Sequence, residues 1–75
     1  MMELTLKLNS LDEVKRFIGI TSRYGAELSL ENGRYSVDAK SILGVFSMDL
    51  SKTVRLVCKQ EDEKLKEDLR EFFAA

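Results

Sequence analysis

The feature that most constrains this chain is the repeated switch of its apolar residues between a period of two and a period of three or four, each within a very short segment. From Met2 to Leu8, the residues Met2, Leu4, Leu6 and Leu8 alternate with Glu3, Thr5 and Lys7, the pattern of a strand with one buried face. Ser10-Leu11-Asp12-Glu13 then has the S-x-x-E form of a capping box, in which the serine hydroxyl and the glutamate carboxylate satisfy amides at a helix start. A helix is expected from Leu11 to about Tyr24, with Leu11, Val14, Phe17, Ile18 and Thr21 on one stripe and Gly25 as its stop. Alternation returns over Ala26 to Glu31, and Asn32-Gly33 is a hairpin-turn signal before a strand from Arg34 to Asp38.

Between Ser41 and Leu50 almost every second or third residue is apolar. Periodicity alone leaves helix and strand open there, and the segment reads as a short helix. Thr53 to Lys59 reads as a last strand with Val54, Leu56 and Cys58 inward, and Glu61 to Ala75 as a last helix carrying Leu65, Leu69, Phe72 and Phe73. The order βαββαβα predicts an α+β sandwich, a four-stranded antiparallel sheet covered by three helices on one face. With 75 residues, no proline and no linker-like tract, residues 1–75 are expected to form a single domain around one core.

Composition narrows the function. Twelve Lys plus Arg against thirteen Asp plus Glu give a net charge of −1, without the basic footprint of a nucleic-acid binder. The outward positions Glu3, Thr5, Lys7, Glu27, Ser29, Glu31, Arg34 and Ser36 carry no aromatic for an RNA-binding sheet. Apolar runs are far shorter than a bilayer span and Met1 to Lys7 lacks a signal-peptide layout, so no membrane partner and a cytoplasmic location are expected. The chain has no histidine and one cysteine, Cys58, which reads as a small core residue. Internal disulfides, the usual zinc sites and histidine acid–base chemistry are thereby excluded, and no metal or cofactor is expected. No nucleophile–base pair or phosphate loop is evident, so the chain is not expected to be an enzyme.

The segment Tyr35 to Met48, and Lys40-Ser41-Ile42-Leu43-Gly44 within it, resembles HPr, the small phosphocarrier of the bacterial sugar phosphotransferase system. In that family a strand runs into a Lys-Ser-Ile-(Met/Leu)-Gly segment that opens a short helix, and the element order is the same βαββαβα open-faced sandwich. HPr phosphocarriers also have a Gly-x-His-Ala-Arg-Pro stretch at the start of the first helix. Here Asn9, Ser10, Leu11, Asp12 and Glu13 stand in that region. The histidine, the arginine and the proline are absent, and Asp12 and Glu13 would repel a phosphoryl group.

By this resemblance, Ser41 is similar to the regulatory serine phosphorylated by the ATP-dependent HPr kinase/phosphorylase. A phosphate there adds about −1.5 to −2 charges at a helix N-terminus, where anions are favoured. Serine is also a preferred N-cap with no kinase involved. Lys40, Ile42, Leu43 and Phe46 fall where the family docks its protein partners, including enzyme I, the kinase and transcriptional regulators. Ile42, Leu43 and Phe46 cannot all face inward on a short helix if Val45, Met48 and Leu50 do. The pattern is similar to that of catabolite-repression relatives of HPr, which lack the histidine and keep the serine. The expectation is an HPr-like regulatory, protein-docking module without histidine phosphocarrier activity, monomeric or weakly dimeric. The alternative is a structural or self-associating α/β domain with no phosphotransferase role.

Overall fold

The computed structural model describes residues 1–74, and the last residue of the expected C-terminal helix, Ala75, lies outside the described residues. The elements are β1 (Met2–Leu6), α1 (Leu11–Thr21), β2 (Leu28–Asn32), β3 (Tyr35–Asp38), α2 (Ile42–Phe46), β4 (Val54–Cys58) and α3 (Glu63–Asp68), followed by a 3-10 turn at Arg70–Phe72. The strands form one four-stranded sheet in the order β1-β4-β2-β3, and every neighbouring pair is antiparallel. This is the open-faced α+β sandwich that the alternating periods predict.

The pleat explains why the register is unique. Leu4 pairs with Leu56, Leu56 with Leu30, and Leu30 with Val37, so one apolar row crosses the whole sheet on the helix side. Slipping any strand by one residue would turn its apolar set to water. Met2 and Leu28 flank Cys58 in the next row, and the cysteine is fully buried there, as its phase predicts. From above, α1 contributes Val14, Phe17 and Ile20, α2 contributes Val45, and the C-terminal segment contributes Leu65, Leu69 and Phe72. The Phe17 and Phe72 rings meet edge to face, 6.0 Å apart at 84°. That contact ties the chain's end to its first helix.

The opposite face of the sheet is open and charged. Arg55 on β4 bonds Glu31 at 2.8 Å and lies 3.5 Å from Glu3, while Lys59 pairs with Glu27 at 3.0 Å. These cross-strand pairs are exposed and each contributes little alone. The bond from Glu31, with the charges of Glu3 and Glu31 behind it, raises the already high pKa of the guanidinium.

Several boundaries differ from the sequence expectation, each for a local reason. β1 ends at Leu6 rather than Leu8, because the Lys7 amide donates to Phe72 O and the Ala74 amide to Thr5 O, which pairs the chain's end with the strand. That pairing, with a bridge between Leu6 and Phe73, also breaks the expected C-terminal helix into α3 and the 3-10 turn. α1 ends at Thr21 without help from Gly25: the Ser22 hydroxyl donates to Ile18 O and the Arg23 guanidinium to Gly19 O, so side chains satisfy the last carbonyls. In the hairpin, Asn32 pairs with Tyr35, which makes Gly33 and Arg34 the turn residues instead of Asn32 and Gly33. Gly33 has φ +62 and no other described residue has a positive φ. A positive first and negative second central residue is the type II′ arrangement, which suits the twist of the flanking strands.

Candidate functional site

Ser41 stands at the junction between β3 and α2, and the junction is held from several sides. Ala39, fully buried, donates its amide to Leu28 O at 3.0 Å and accepts from Thr21 Oγ1 at 3.0 Å. Thr21 is itself fully buried, and this bond fastens α1 to the approach of Ser41. The Asp38 carboxylate accepts from the Lys40 amide at 2.9 Å and the Asp38 carbonyl from the Ser41 amide at 3.0 Å. The Lys40 ammonium donates to Tyr24 O. Lys40 is half-buried and its charge is engaged by a backbone carbonyl; the structure does not bring it into the exposed apolar group described below.

Ser41 is the N-cap of α2, in extended conformation with φ −98 and ψ 114, and its hydroxyl accepts from the Gly44 amide at 3.1 Å. The helix lies close over the edge of the sheet: a Cβ on Gly44 would come 3.3 Å from Val37 Cβ and 3.4 Å from Ser41 Cβ. Glycine here permits the approach of α2 to β3. After the helix, the Lys7 ammonium donates to Leu50 O at 2.8 Å and Asn32 Nδ2 to Asp49 O at 3.1 Å. Asp49 accepts from the Ser51 hydroxyl and amide, which hold its carboxyl below the usual range. Both ends of α2 are thus anchored to the sheet side of the molecule.

With Val45 and Met48 buried beneath it, α2 turns its other apolar side chains outward. Leu43 is 81% exposed, Phe46 43% and Ile42 39%. Leu11 on α1, at 51%, joins this surface, because Leu11, Val14, Phe46 and Leu50 line one open groove of about 360 Å³. The period of α1 had placed Leu11 on the buried stripe. Its position in the first turn, next to the cap and ahead of the sheet's edge, is the local signal that it faces out. Scattered exposed apolar residues are ordinary on a soluble protein, whereas several converging on two adjacent helix ends form a patch.

The start of α1 is a capping box without histidine. Ser10 is the N-cap, its hydroxyl accepts from the Glu13 amide at 3.1 Å, and Glu13 accepts from the Asn9 amide at 3.1 Å. The capping box forms with its carboxylate reaching one residue further back than the usual N-cap amide. Asp12 and Glu13 place negative charge in the first turn, favourable for the helix dipole. Among the described residues, no group of histidine, cysteine or carboxylate side chains could hold a metal ion, and no helix is long and apolar enough to cross a membrane.

Neither family models nor curated proteins give a match to the sequence. Solved structures do. HPr-C-His from Thermoanaerobacter tengcongensis superposes with a TM-score of 0.79 at 23% identity, over 95% of this chain and 89% of that one. The phosphocarrier protein HPr of Bacillus anthracis gives 0.74 at 19%, over 97% and 96%. The catabolite repression protein Crh of Bacillus subtilis, described as an intertwined, domain-swapped dimer, gives 0.62 at 26%, over 100% and 93%. The class that the sheet order and these likenesses define is the HPr fold, an open-faced sandwich with its helices on one side. This chain has the HPr-like fold, and its sequence contains no histidine.

Proposed function

We propose that this protein is a regulatory docking module of the HPr type, without histidine phosphocarrier activity. It binds a protein partner through Ile42, Leu43 and Phe46, and phosphate on Ser41 switches that binding. The observation that carries the reading is the exposure of Leu43, Ile42 and Phe46 on a five-residue helix whose N-cap is Ser41. A charge at the cap sits within one turn of Ile42 and Leu43, so adding a phosphate changes the contact surface directly. Phosphate oxygens can accept from the Gly44 amide in place of the hydroxyl, which lets α2 persist after modification. Leu11 extends the same surface and belongs to the docking face. Lys40, held by the Tyr24 carbonyl, supports the geometry of the junction and can reach a partner only after leaving that carbonyl.

The test is intact mass after incubation with HPr kinase and ATP and, separately, with enzyme I and phosphoenolpyruvate. The expected result is a single phosphate from the kinase, mapping to Ser41, and none from enzyme I. No phosphate from the kinase removes the switch from this reading, and phosphate from enzyme I removes the claim that the chain is no carrier. Docking is tested by Phe46→Glu: a folded variant that keeps every partner of the wild type would falsify the assignment of this surface.

A further inference from the structure

The two edges of the sheet are treated differently. Along β1, the amide of Ala74 and the carbonyl of Phe72 pair with Thr5 and Lys7, so the chain's own end covers part of that edge. β3 is the other edge. Three of its four residues are exposed, Tyr35 by 70%, whereas β1 and β4 alternate buried and open positions.

The phase of the ladder shows which backbone groups β3 presents. Bonded and non-bonded pairs alternate in an antiparallel ladder, and the Ala39 amide donates to Leu28 O. The residues of β3 bonded to β2 are therefore Tyr35 and Val37, opposite Asn32 and Leu30. Ser36 turns its N–H and C=O toward the open edge, and so does the Asp38 N–H, while the Asp38 carbonyl accepts from the Ser41 amide. No helix covers that side of the strand among the described residues, since α2 lies on its face, over Val37.

The sequence of this edge is complementary to itself. If a second copy pairs antiparallel with Ser36 opposite Ser36 of the partner, then Tyr35 meets Val37 of the partner and Arg34 meets Asp38 of the partner, twice each by symmetry. An aromatic against a β-branched residue and a cation against an anion are the favourable cross-strand pairs. Tyr35 and Val37 share the helix side, Asp38 lies on the open side, and Arg34 stands in the turn just before β3, at the end of the row that Asp38 begins. Arg34 has no ion-pair partner within the chain among the described residues. A shift of one residue in either direction puts Tyr35 opposite a polar residue and separates the charges. We propose that two copies of this chain associate edge to edge through β3, centred on Ser36, giving one continuous sheet across a two-fold axis. The contact is short, so the dimer is weak and concentration-dependent.

Sedimentation velocity from micromolar concentration to about 1 mM tests this. The expected result is a reversible monomer–dimer equilibrium in the wild type. Ser36→Pro removes an edge-facing N–H and leaves the bonds of Tyr35 and Val37 to β2 in place, and it is expected to raise the dissociation constant at least about tenfold. Arg34→Glu sets like charges opposite each other twice and acts in the same direction. Mixing R34E with D38K restores opposite charges at both ends, so the mixed dimer is expected to be about tenfold tighter than either variant with itself. A wild type that remains monomeric to about 1 mM overturns the proposal and leaves the edge to a strand from another protein. So does a dimer that survives both Ser36→Pro and Arg34→Glu, the result expected of a domain-swapped dimer.

Discussion

Replacing Thr21 with valine removes one hydroxyl and keeps the branched shape of the side chain. In the structure that hydroxyl donates to Ala39 O at 3.0 Å, and both residues are fully buried. No water can reach the carbonyl once its donor is gone. A buried acceptor left without a partner costs about 1–3 kcal/mol, and the added methyl returns a few tenths through apolar burial. A net loss of about 1–2 kcal/mol is expected, which at this chain length lowers Tm by about 5–15 °C. Urea denaturation should show a lower midpoint with an unchanged slope. Because the bond holds the segment leading into Ser41, amide exchange at Lys40 and Ser41 should accelerate more than at Leu56 in the centre of the sheet. A Thr21→Val protein within about 0.5 kcal/mol of wild type, or one that loses protection uniformly, would refute the role of this bond in positioning the site.

Three further outcomes follow from single contacts. Gly19→Ala should stabilise the protein by about 0.5–1 kcal/mol in thermal or urea unfolding, since nothing lies within 4 Å of the added Cβ and glycine is costly within a helix. Tyr24 donates to Asp68 at 2.5 Å, and this bond, together with burial and the Asp68 charge, pushes its phenol up to about 12. The unfolded chain loses that proton first, near pH 10, so the stability from this pair is complete below pH 10 and is lost as pH rises toward 12. An ultraviolet phenolate titration should show one late-titrating tyrosine that Tyr24→Phe removes. Leu43→Asp should leave the unfolding free energy within about 0.5 kcal/mol of wild type, because the side chain is 81% exposed, while abolishing capture, in a pull-down with the tagged protein, of the partners that Phe46→Glu loses.

Strand and helix identity were legible where one period runs unbroken, as in Met2 to Leu8, whereas over Ser41 to Leu50 periodicity alone left both open. The outward group on α2 was legible for a related reason: too many apolar residues occur for one buried stripe, so the excess must face water. What stayed hidden depends on contacts distant in sequence. The end of β1 at Leu6 is decided by Phe72 and Ala74. The turn at Gly33 and Arg34 is decided by the pairing of β2 with both β3 and β4, which shifts it one residue from the strongest local signal. For Leu11 the period, which counts it with the buried stripe, and its place in the first turn beside the cap point opposite ways, and the structure follows the second. The bonds from Thr21 to Ala39 and from Lys40 to Tyr24 join polar groups whose spacing carries no signature at all, and they hold the junction in place.

The covered edge at β1 has a consequence for assembly. A strand open on both sides of a sheet can add copies without limit, which is the route to fibres. Here the segment from Phe72 to Ala74 occupies backbone groups of Thr5 and Lys7, so part of the β1 edge is closed and the more open edge is that of β3. Pairing there uses the same strand from both copies and leaves each assembly with two capped ends. In the proposed dimer growth would stop at two, and the segment that fills the core with Phe72 would also act as the stop on the β1 edge.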